Sequence, residues 1–173
     1  MKPYILFVFL LTSIIVNAAP ESNASEEYDI WTTRVDDSLC TISGGIVARH
    51  PAGETRVIAY YTTAFTQDKV TQSLGLELNK PQLVIESQDT TLAPGYEILL
   101  IANEITYRAC PKEGAYTLSA KDTASLIKNS RHAGSFKLGF MLANGNTCII
   151  ELGYKNLAAH IKEATGCGYE SIV

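Results

Sequence analysis

The chain has 173 residues, and its 18 acidic side chains outnumber its 14 basic ones, which gives a net charge of −4 at pH 7. The length fits a single domain. The charges are scattered along the chain, and their negative sum argues against binding to nucleic acids and to anionic lipid surfaces, because the protein would repel them.

The N-terminal segment has the pattern of a secretory signal. One positive charge, at Lys2, precedes an apolar run over 4–16 that is shorter than the about 20 residues a membrane span requires. Small or branched side chains at Val16 and Ala18 fit a signal-peptidase site, so 1–18 is predicted to be a signal peptide. Its removal takes Lys2 away and changes the net charge to −5. The mature protein is expected to be exported, without a transmembrane anchor.

The next segment, 19–27, is small, polar and acidic, and we expect it to form a disordered leader before a single β-rich domain over 28–173. Asn23 begins an Asn-Ala-Ser sequence, which is a glycosylation acceptor only in a eukaryotic source.

Short apolar and β-branched runs alternate with turn residues through the first part of this domain. They predict strands over 28–35, 39–47, 56–63, 73–78, 82–87 and 97–102. The run 73–78 shows the period clearly, since Leu74, Leu76 and Leu78 alternate with other residues.

Two helices and one hairpin are predicted after these strands. Ser119 and Asp122 mark a helix start, Gly134 marks its end, and Ala120, Ala124 and Ile127 are its expected buried stripe.

Alternating apolar residues on either side of the Asn144-Gly145 turn predict the hairpin and put Cys148 on its core side. A last helix over about 155–164 buries Leu157, Ile161 and Ala164. The fold class is therefore mostly β, a β-sandwich or a barrel-like single domain with two short α-helices.

Four cysteines follow the signal peptide, an even number that indicates two structural disulfides in an oxidising compartment. They are Cys40, Cys110, Cys148 and Cys167. The sequence alone allows three pairings among them.

Catalytic and metal-binding patterns are absent from the sequence. His50, His132 and His160 lie far apart, without the spacing of metal ligands, and each is expected to be a surface or helix-end residue. There is no Gly-x-Ser-x-Gly motif and no Cys-x-x-Cys motif. We expect no catalytic residues, no cofactor and no metal.

Tyrosines are the remaining candidates for a functional surface, because tyrosine offers a large contact area at small entropic cost. The possible interface residues are Tyr60, Tyr61, Tyr96, Tyr107 and Tyr116. Tyrosine is also favoured in strands, so ordinary sheet packing is the alternative explanation for each of them.

Three segments resemble the invasion-associated locus B family of exported bacterial proteins. Trp31 to Val35 and the strand around Cys40 resemble the family's opening strands. The segment from Tyr107 to Tyr116 resembles its middle cysteine segment, and 149–159 resembles its closing strand, Gly-aromatic corner and Ala-rich helix. The resemblance implies a periplasmic, outer-surface or secreted protein of a Gram-negative bacterium that is linked to entry into host cells.

The resemblance also implies a disulfide pairing. The family commonly has cysteines where this chain has Val35 and Ala115, and their joint loss implies that Cys40 pairs with Cys110. Cys148 and Cys167 would then form the second bond.

Our leading hypothesis from the sequence is a non-enzymatic exported binding protein of the invasion-associated type, which acts through an envelope or host-surface protein. One alternative is a small secreted hydrolase or hydrolase inhibitor, with Asp36, Asp37, His132 and His160 as the residues to test. The other alternative is a carrier of a small ligand inside a barrel.

Overall fold

The computed structural model describes residues 24–50, 53–87, 95–145, 147–164 and 166–169, with three short helices and nine strands. The strands are β1 (Ala24–Val35), β2 (Leu39–His50), β3 (Gly53–Ala64), β4 (Pro81–Ser87), β5 (Ile98–Ala102), β6 (Ile105–Lys112), β7 (Ala115–Thr117), β8 (Ser135–Met141) and β9 (Thr147–Gly153). The helices are α1 (Lys69–Ser73), α2 (Ala120–Ala133) and α3 (Tyr154–Glu163).

The nine strands form one curled sheet in the order β1-β2-β3-β4-β7-β6-β5-β8-β9, with every neighbouring pair antiparallel. The curled sheet has the shape of a half-barrel, which confirms the mostly β, barrel-like fold class. On its concave side, α2 packs against β4, β5 and β8, and α3 packs against β1 and β8. The main hydrophobic core lies between this concave face and the two helices.

Trp31 occupies one end of this core, and small neighbours make room for it. It lies directly opposite Gly44 on β2, and Gly44 in turn lies opposite Ala59 on β3. The indole is 7% exposed, and its ring centroid is 6.1 Å from that of Tyr61. A side chain at residue 44 would therefore compete with the tryptophan for the same space.

The predicted hairpin and both predicted helices are present. The four inward residues of β8 and its turn, Phe136 to Leu142, are buried, as is Cys148 on β9. Gly145 has a φ of +84°, which the turn requires. Leu157, Ile161 and Ala164 are buried on α3 as expected.

Helix α2 begins and ends where the sequence predicts, but its buried stripe is different. Ser119 caps the N-terminus by accepting a hydrogen bond from the Asp122 amide at 3.1 Å, and Gly134 ends the helix in the left-handed conformation. The buried residues are Thr123, Leu126, Ile127 and Ser130, whereas Ala120 and Ala124 are half-buried. The hydroxyl of Thr123 accepts a hydrogen bond from the Leu83 amide of β4, so a polar residue belongs to this stripe.

The predicted strand over 73–78 is wrong. Asp68 and Thr71 form a capping box that starts α1 at Lys69, and the helix continues to Ser73. Gly75 then adopts a φ of +67°, which turns the chain away from a strand. Leu76 is buried against the outer face of the sheet, while Leu78 is 40% exposed.

Two of the strands, β6 and β7, were not predicted, and the first strand begins earlier than expected. Because β1 starts at Ala24, the last four residues of the predicted leader 19–27 lie in a strand. The predicted signal peptide 1–18 and the acceptor Asn23 lie outside the described residues.

The structure corrects the disulfide pairing that the resemblance implied. Cys40 is bonded to Cys167, with Cα atoms 5.7 Å apart, which excludes both Cys40–Cys110 and Cys148–Cys167. Within the described chain, exposed Cys110 on β6 and buried Cys148 on β9 take part in no disulfide. Strands β5 and β8 separate these two, a distance of about 14 Å at about 4.8 Å per strand, whereas a disulfide needs Cα atoms within about 7 Å.

The bond instead anchors the C-terminal segment to β2. The Thr63 hydroxyl donates a hydrogen bond to the Cys167 carbonyl at 2.7 Å, and Tyr169 is fully buried beyond it. Among the described helices, none has the length and hydropathy needed to cross a membrane.

Candidate binding groove

A groove with a volume of about 590 Å³ lies on the convex face of the half-barrel, between strands β1 to β4 and the segment that contains α1. Strand alternation explains its polar floor, because residues next to core positions point outward. Ile42 and Tyr61 face the core, so their neighbours Thr41, Ser43 and Tyr60 line the groove.

The floor consists of two rows of directly paired residues. The first row is Thr32, Ser43, Tyr60 and Val84, and the second is Arg34, Thr41 and Thr62. Three inter-strand spacings of about 4.8 Å make the first row about 14 Å long, and the rows are about 7 Å apart along the strands. The floor is therefore long enough for a small polymer segment and rich in hydroxyl groups.

The opposite wall comes from α1 and the residues after it. Val70, Leu74 and Leu76 line this wall, and Val70 is 62% exposed although it is apolar. The backbone amide of Asn79, which follows this wall in the chain, donates a hydrogen bond to the Ala64 carbonyl of β3 at 2.7 Å. This bond holds the wall against the sheet. The groove thus has a hydroxyl-rich floor and an apolar wall.

Gln82 on β4 also fixes this wall. It is 2% exposed, its Oε1 accepts a hydrogen bond from the Glu77 amide at 2.5 Å, and its Nε2 donates to the Leu118 carbonyl at 3.3 Å. One buried amide side chain therefore links the wall, the sheet and the segment before α2.

Two of the acidic residues in the lining are engaged by the protein itself. The Oδ1 atom of Asp36 accepts hydrogen bonds from the Ser38 hydroxyl at 2.7 Å and from the amides of Ser38 and Leu39 at 2.9 Å, and these lower the pKa of Asp36. Its Oδ2 lies 3.5 Å from Nε of Arg34. Asp68 caps α1, and the hydrogen bond from the Thr71 amide lowers the pKa of Asp68.

The third acidic residue, Glu86, is half-buried next to Tyr60. Burial of Tyr60, and then the charge of the Glu86 carboxylate, raise the pKa of the Tyr60 phenol above its ordinary value. The phenol, which is protonated at neutral pH as any tyrosine is, donates a hydrogen bond to the Glu86 carboxylate. Among the described residues, no basic side chain forms an ion pair with Glu86.

One floor hydroxyl also has no partner within the described part of the protein. The Oγ1 atom of Thr41 is buried and forms no hydrogen bond with it, whereas the neighbouring hydroxyls of Thr32 and Ser43 lie 2.9 Å apart. A buried hydroxyl without a partner costs about 1–3 kcal/mol, so Thr41 is a point of lower stability beneath the floor of the groove.

The five tyrosines named from the sequence fall into three environments. Tyr61 and Tyr107 are buried in the core, so in this fold they have the packing role that was the alternative to an interface. The Tyr107 hydroxyl lies 2.9 Å from that of Ser125 and accepts a hydrogen bond from Asn129, both on α2.

The remaining three tyrosines are more accessible. Tyr96 is 53% exposed and lies outside the groove. Tyr116 is half-buried, and burial raises the pKa of its phenol. Tyr60 alone among the five lines the groove.

The residues suggested for hydrolysis are not arranged as a catalytic triad. Nδ1 of His160 lies 3.4 Å from the Thr33 hydroxyl and 3.5 Å from a Glu163 carboxylate oxygen. A triad needs the nucleophile and the carboxylate on different ring nitrogens, whereas here both approach the same one. Asp36 is engaged at the β1–β2 turn, where Asp37 follows it, and His132 lies in the last turn of α2.

Metal binding has no candidate cluster either. In the described part of the chain, no three His, Cys, Asp or Glu side chains come together. His50 ends β2, and the other two histidines lie on different helices.

Comparisons with known proteins add no functional assignment. No family model, curated protein or solved structure matches the chain. The resemblance to the invasion-associated locus B family therefore stays a prediction.

Most of the groove was not predicted from the sequence. Tyr60 and Asp36 were among the candidate residues, but Thr41, Ser43 and Glu86 were not. A signal was present, because Thr41 and Ser43 alternate with Ile42 in β2, and Tyr60 and Thr62 alternate with Tyr61 in β3. Hydroxyl residues at alternate positions of adjacent strands indicate a polar outer face, but not the segment that makes this face a groove.

Proposed function

We propose that this chain is a non-enzymatic exported binding protein, which acts at a bacterial envelope or a host-cell surface by holding part of a protein partner in the convex groove. The observation that carries the proposal is the groove itself, which combines a hydroxyl-rich floor with an apolar wall. Binding sites for flexible ligands commonly pair apolar contact area with a few directional polar groups.

Two further features support export and binding. The Cys40–Cys167 bond fits a protein that works in an oxidising compartment, as the signal-like N-terminal segment predicts. The groove is rigidly supported, because its floor belongs to four hydrogen-bonded strands and its wall is tied down through Gln82. A preformed site loses less entropy when it binds a partner.

The chemistry of the groove favours binding over catalysis. Asp36 and Asp68 use their carboxylates for a turn and a helix cap, so neither is positioned as a general base. The phenol of Tyr60, with its raised pKa, remains protonated at neutral pH and is suited to donate a hydrogen bond.

The test is saturable binding of the oxidised mature protein to purified membranes. Fluorescently labelled protein is titrated with outer-membrane vesicles of a Gram-negative bacterium and, separately, with host-cell plasma membranes. A Ser43→Tyr variant fills the groove, whereas a Thr106→Tyr variant adds the same side chain at an exposed position of β6 outside it. Circular dichroism verifies that both variants are folded.

We expect saturable binding for the wild type and for Thr106→Tyr, strong weakening for Ser43→Tyr, and loss of binding after protease treatment of the membranes. Absence of saturable binding to either membrane would refute the proposed function. Equal binding of both variants would show that the groove is not the site.

A further inference from the structure

The charge of the groove selects among protein partners. Among the described residues, one basic residue, Arg34, and three acidic residues, Asp36, Asp68 and Glu86, line it, so this part of the lining carries a net charge of −2 at neutral pH. Complementary charge steers and orients a partner, whereas like charge repels it. An anionic or phosphorylated segment is therefore disfavoured, and a cationic one is favoured.

Glu86 is the place where a cation would bind. The charges of Asp36 and Asp68 are already directed at protein donors, whereas Glu86 has the neutral Tyr60 phenol beside it and forms no ion pair among the described residues. A carboxylate next to an aromatic ring offers an ammonium or guanidinium group both an ion pair and a cation–π contact. Because Glu86 is half-buried, this pair would be less screened than one on the open surface.

The rest of the groove fits an extended peptide. An extended chain advances about 3.3 Å per residue, so about four residues span the 14 Å first row of the floor. The floor hydroxyls of Thr32 and Ser43, which lie 2.9 Å apart, each keep hydrogen-bonding capacity for peptide amides and carbonyls. Alternate side chains of such a peptide would point towards the apolar wall around Val70 and Leu76.

We infer that the groove takes an extended, basic and partly apolar peptide segment of the protein partner, with a lysine or arginine side chain bound to the Glu86 carboxylate beside the Tyr60 ring. This inference rests on the proposed function and names the kind of segment that the groove selects. The same lining that accepts a basic segment excludes an acidic one of equal length.

The experiment measures binding of defined peptides by fluorescence anisotropy. The probe is a labelled, capped hexapeptide of alternating lysine and valine. Two comparison peptides carry glutamate in place of lysine or serine in place of valine, and maltotriose serves as an uncharged polyhydroxylated competitor. Glu86→Gln removes the proposed cation site, and Glu104→Gln makes the same change at the exposed β5–β6 turn, outside the groove lining.

We expect the lysine–valine peptide to bind the wild type and Glu104→Gln equally, and Glu86→Gln about tenfold more weakly, the loss typical of one charge-assisted pair. The glutamate peptide should not bind, the serine peptide should bind more weakly, and maltotriose should not compete.

Three results would overturn the inference: no binding of the lysine–valine peptide, equal affinity for wild type and Glu86→Gln, or displacement of the peptide by maltotriose. Its failure is distinguishable from that of the proposed function. A protein that binds membranes through the groove but does not bind this peptide would retain the function and lose the inference.

Discussion

Replacing Gly44 with alanine should destabilise the protein, although the same change at the adjacent Gly45 should not. A Cβ atom at Gly44 would lie 2.8 Å from Cδ2 and Cε3 of Trp31. Carbon atoms in contact are normally about 3.5–4.0 Å apart, so the indole would have to move by most of an ångström. It cannot move freely, because it is 7% exposed and packs against Tyr61.

The expected change in the free energy of unfolding for Gly44→Ala is the balance of two opposing effects. Overpacking of a core typically costs about 1–3 kcal/mol, while alanine in place of glycine restricts the unfolded chain and stabilises by about 0.4–1 kcal/mol. Gly44→Ala should therefore lower the free energy of unfolding by about 1–2 kcal/mol. A Cβ at Gly45 meets nothing within 4 Å, so only the stabilising effect applies there.

Urea denaturation of the oxidised proteins measures the difference. Trp31 is the single tryptophan of the chain, so its fluorescence reports the perturbed region, and far-UV circular dichroism reports the whole sheet. The expected order of stability is Gly45→Ala, wild type, Gly44→Ala. If Gly44→Ala were as stable as Gly45→Ala, the packing of Trp31 over β2 would be refuted.

Three other predictions concern the disulfide, the remaining cysteines and Tyr169. Changing both Cys40 and Cys167 to alanine should lower the free energy of unfolding by about 4–5 kcal/mol, because their bond spans 127 residues; a urea titration showing a loss below about 1 kcal/mol would contradict this. Non-reducing peptide mapping after iodoacetamide treatment should find the Cys40–Cys167 peptide and alkylated Cys110, with Cys148 modified only after unfolding; early modification of Cys148 would contradict its burial. Burial raises the pKa of Tyr169, so only the unfolded chain loses this proton just above the ordinary phenol pKa of about 10. The free energy of unfolding should then fall by about 1.4 kcal/mol per pH unit above that value, and Tyr169→Phe should lack this pH-dependent loss. Identical alkaline denaturation curves for the wild type and Tyr169→Phe would refute the burial of this phenol.

The parts of the fold that the sequence predicts well are those with strong local signals. The hairpin around Gly145 has a turn dipeptide and uninterrupted alternation, and α2 has a cap at Ser119 and a left-handed glycine at Gly134. In these segments the local preference and the tertiary environment favour the same structure.

The failures occur where local signals conflict. The leucines at 74, 76 and 78 alternate as in a strand, but the capping box at Asp68 and the glycine at 75 favour a helix followed by a turn. In β6, the buried residues Tyr107 and Ala109 alternate with exposed ones, but Pro111 and Gly114 nearby are typical of loops. This segment is a strand because it pairs with β5 and β7, its neighbours in the chain, through short turns on either side.

The disulfide and the groove, by contrast, depend on pairing between segments that are distant in the sequence. Cys40 and Cys167 meet because the chain returns to β2 after α3, which no spacing of cysteines predicts. The groove needs the register of β1 to β4 and the position of α1 over it, so individual residues such as Glu86 give no sign of their role in the sequence.

Amide chemical-shift mapping tests the central claim, that the convex groove is the binding site, most directly. Isotope-labelled protein is titrated with the lysine–valine hexapeptide, and the shifts are followed residue by residue. If the peptide binds in the groove, the largest amide shifts should occur at Thr41, Ser43, Tyr60 and Glu86, and the signal of Leu138 in the core should not move. Shifts confined to residues outside the groove would contradict it, whereas the absence of shifts at millimolar peptide would refute only the inferred preference for a basic peptide.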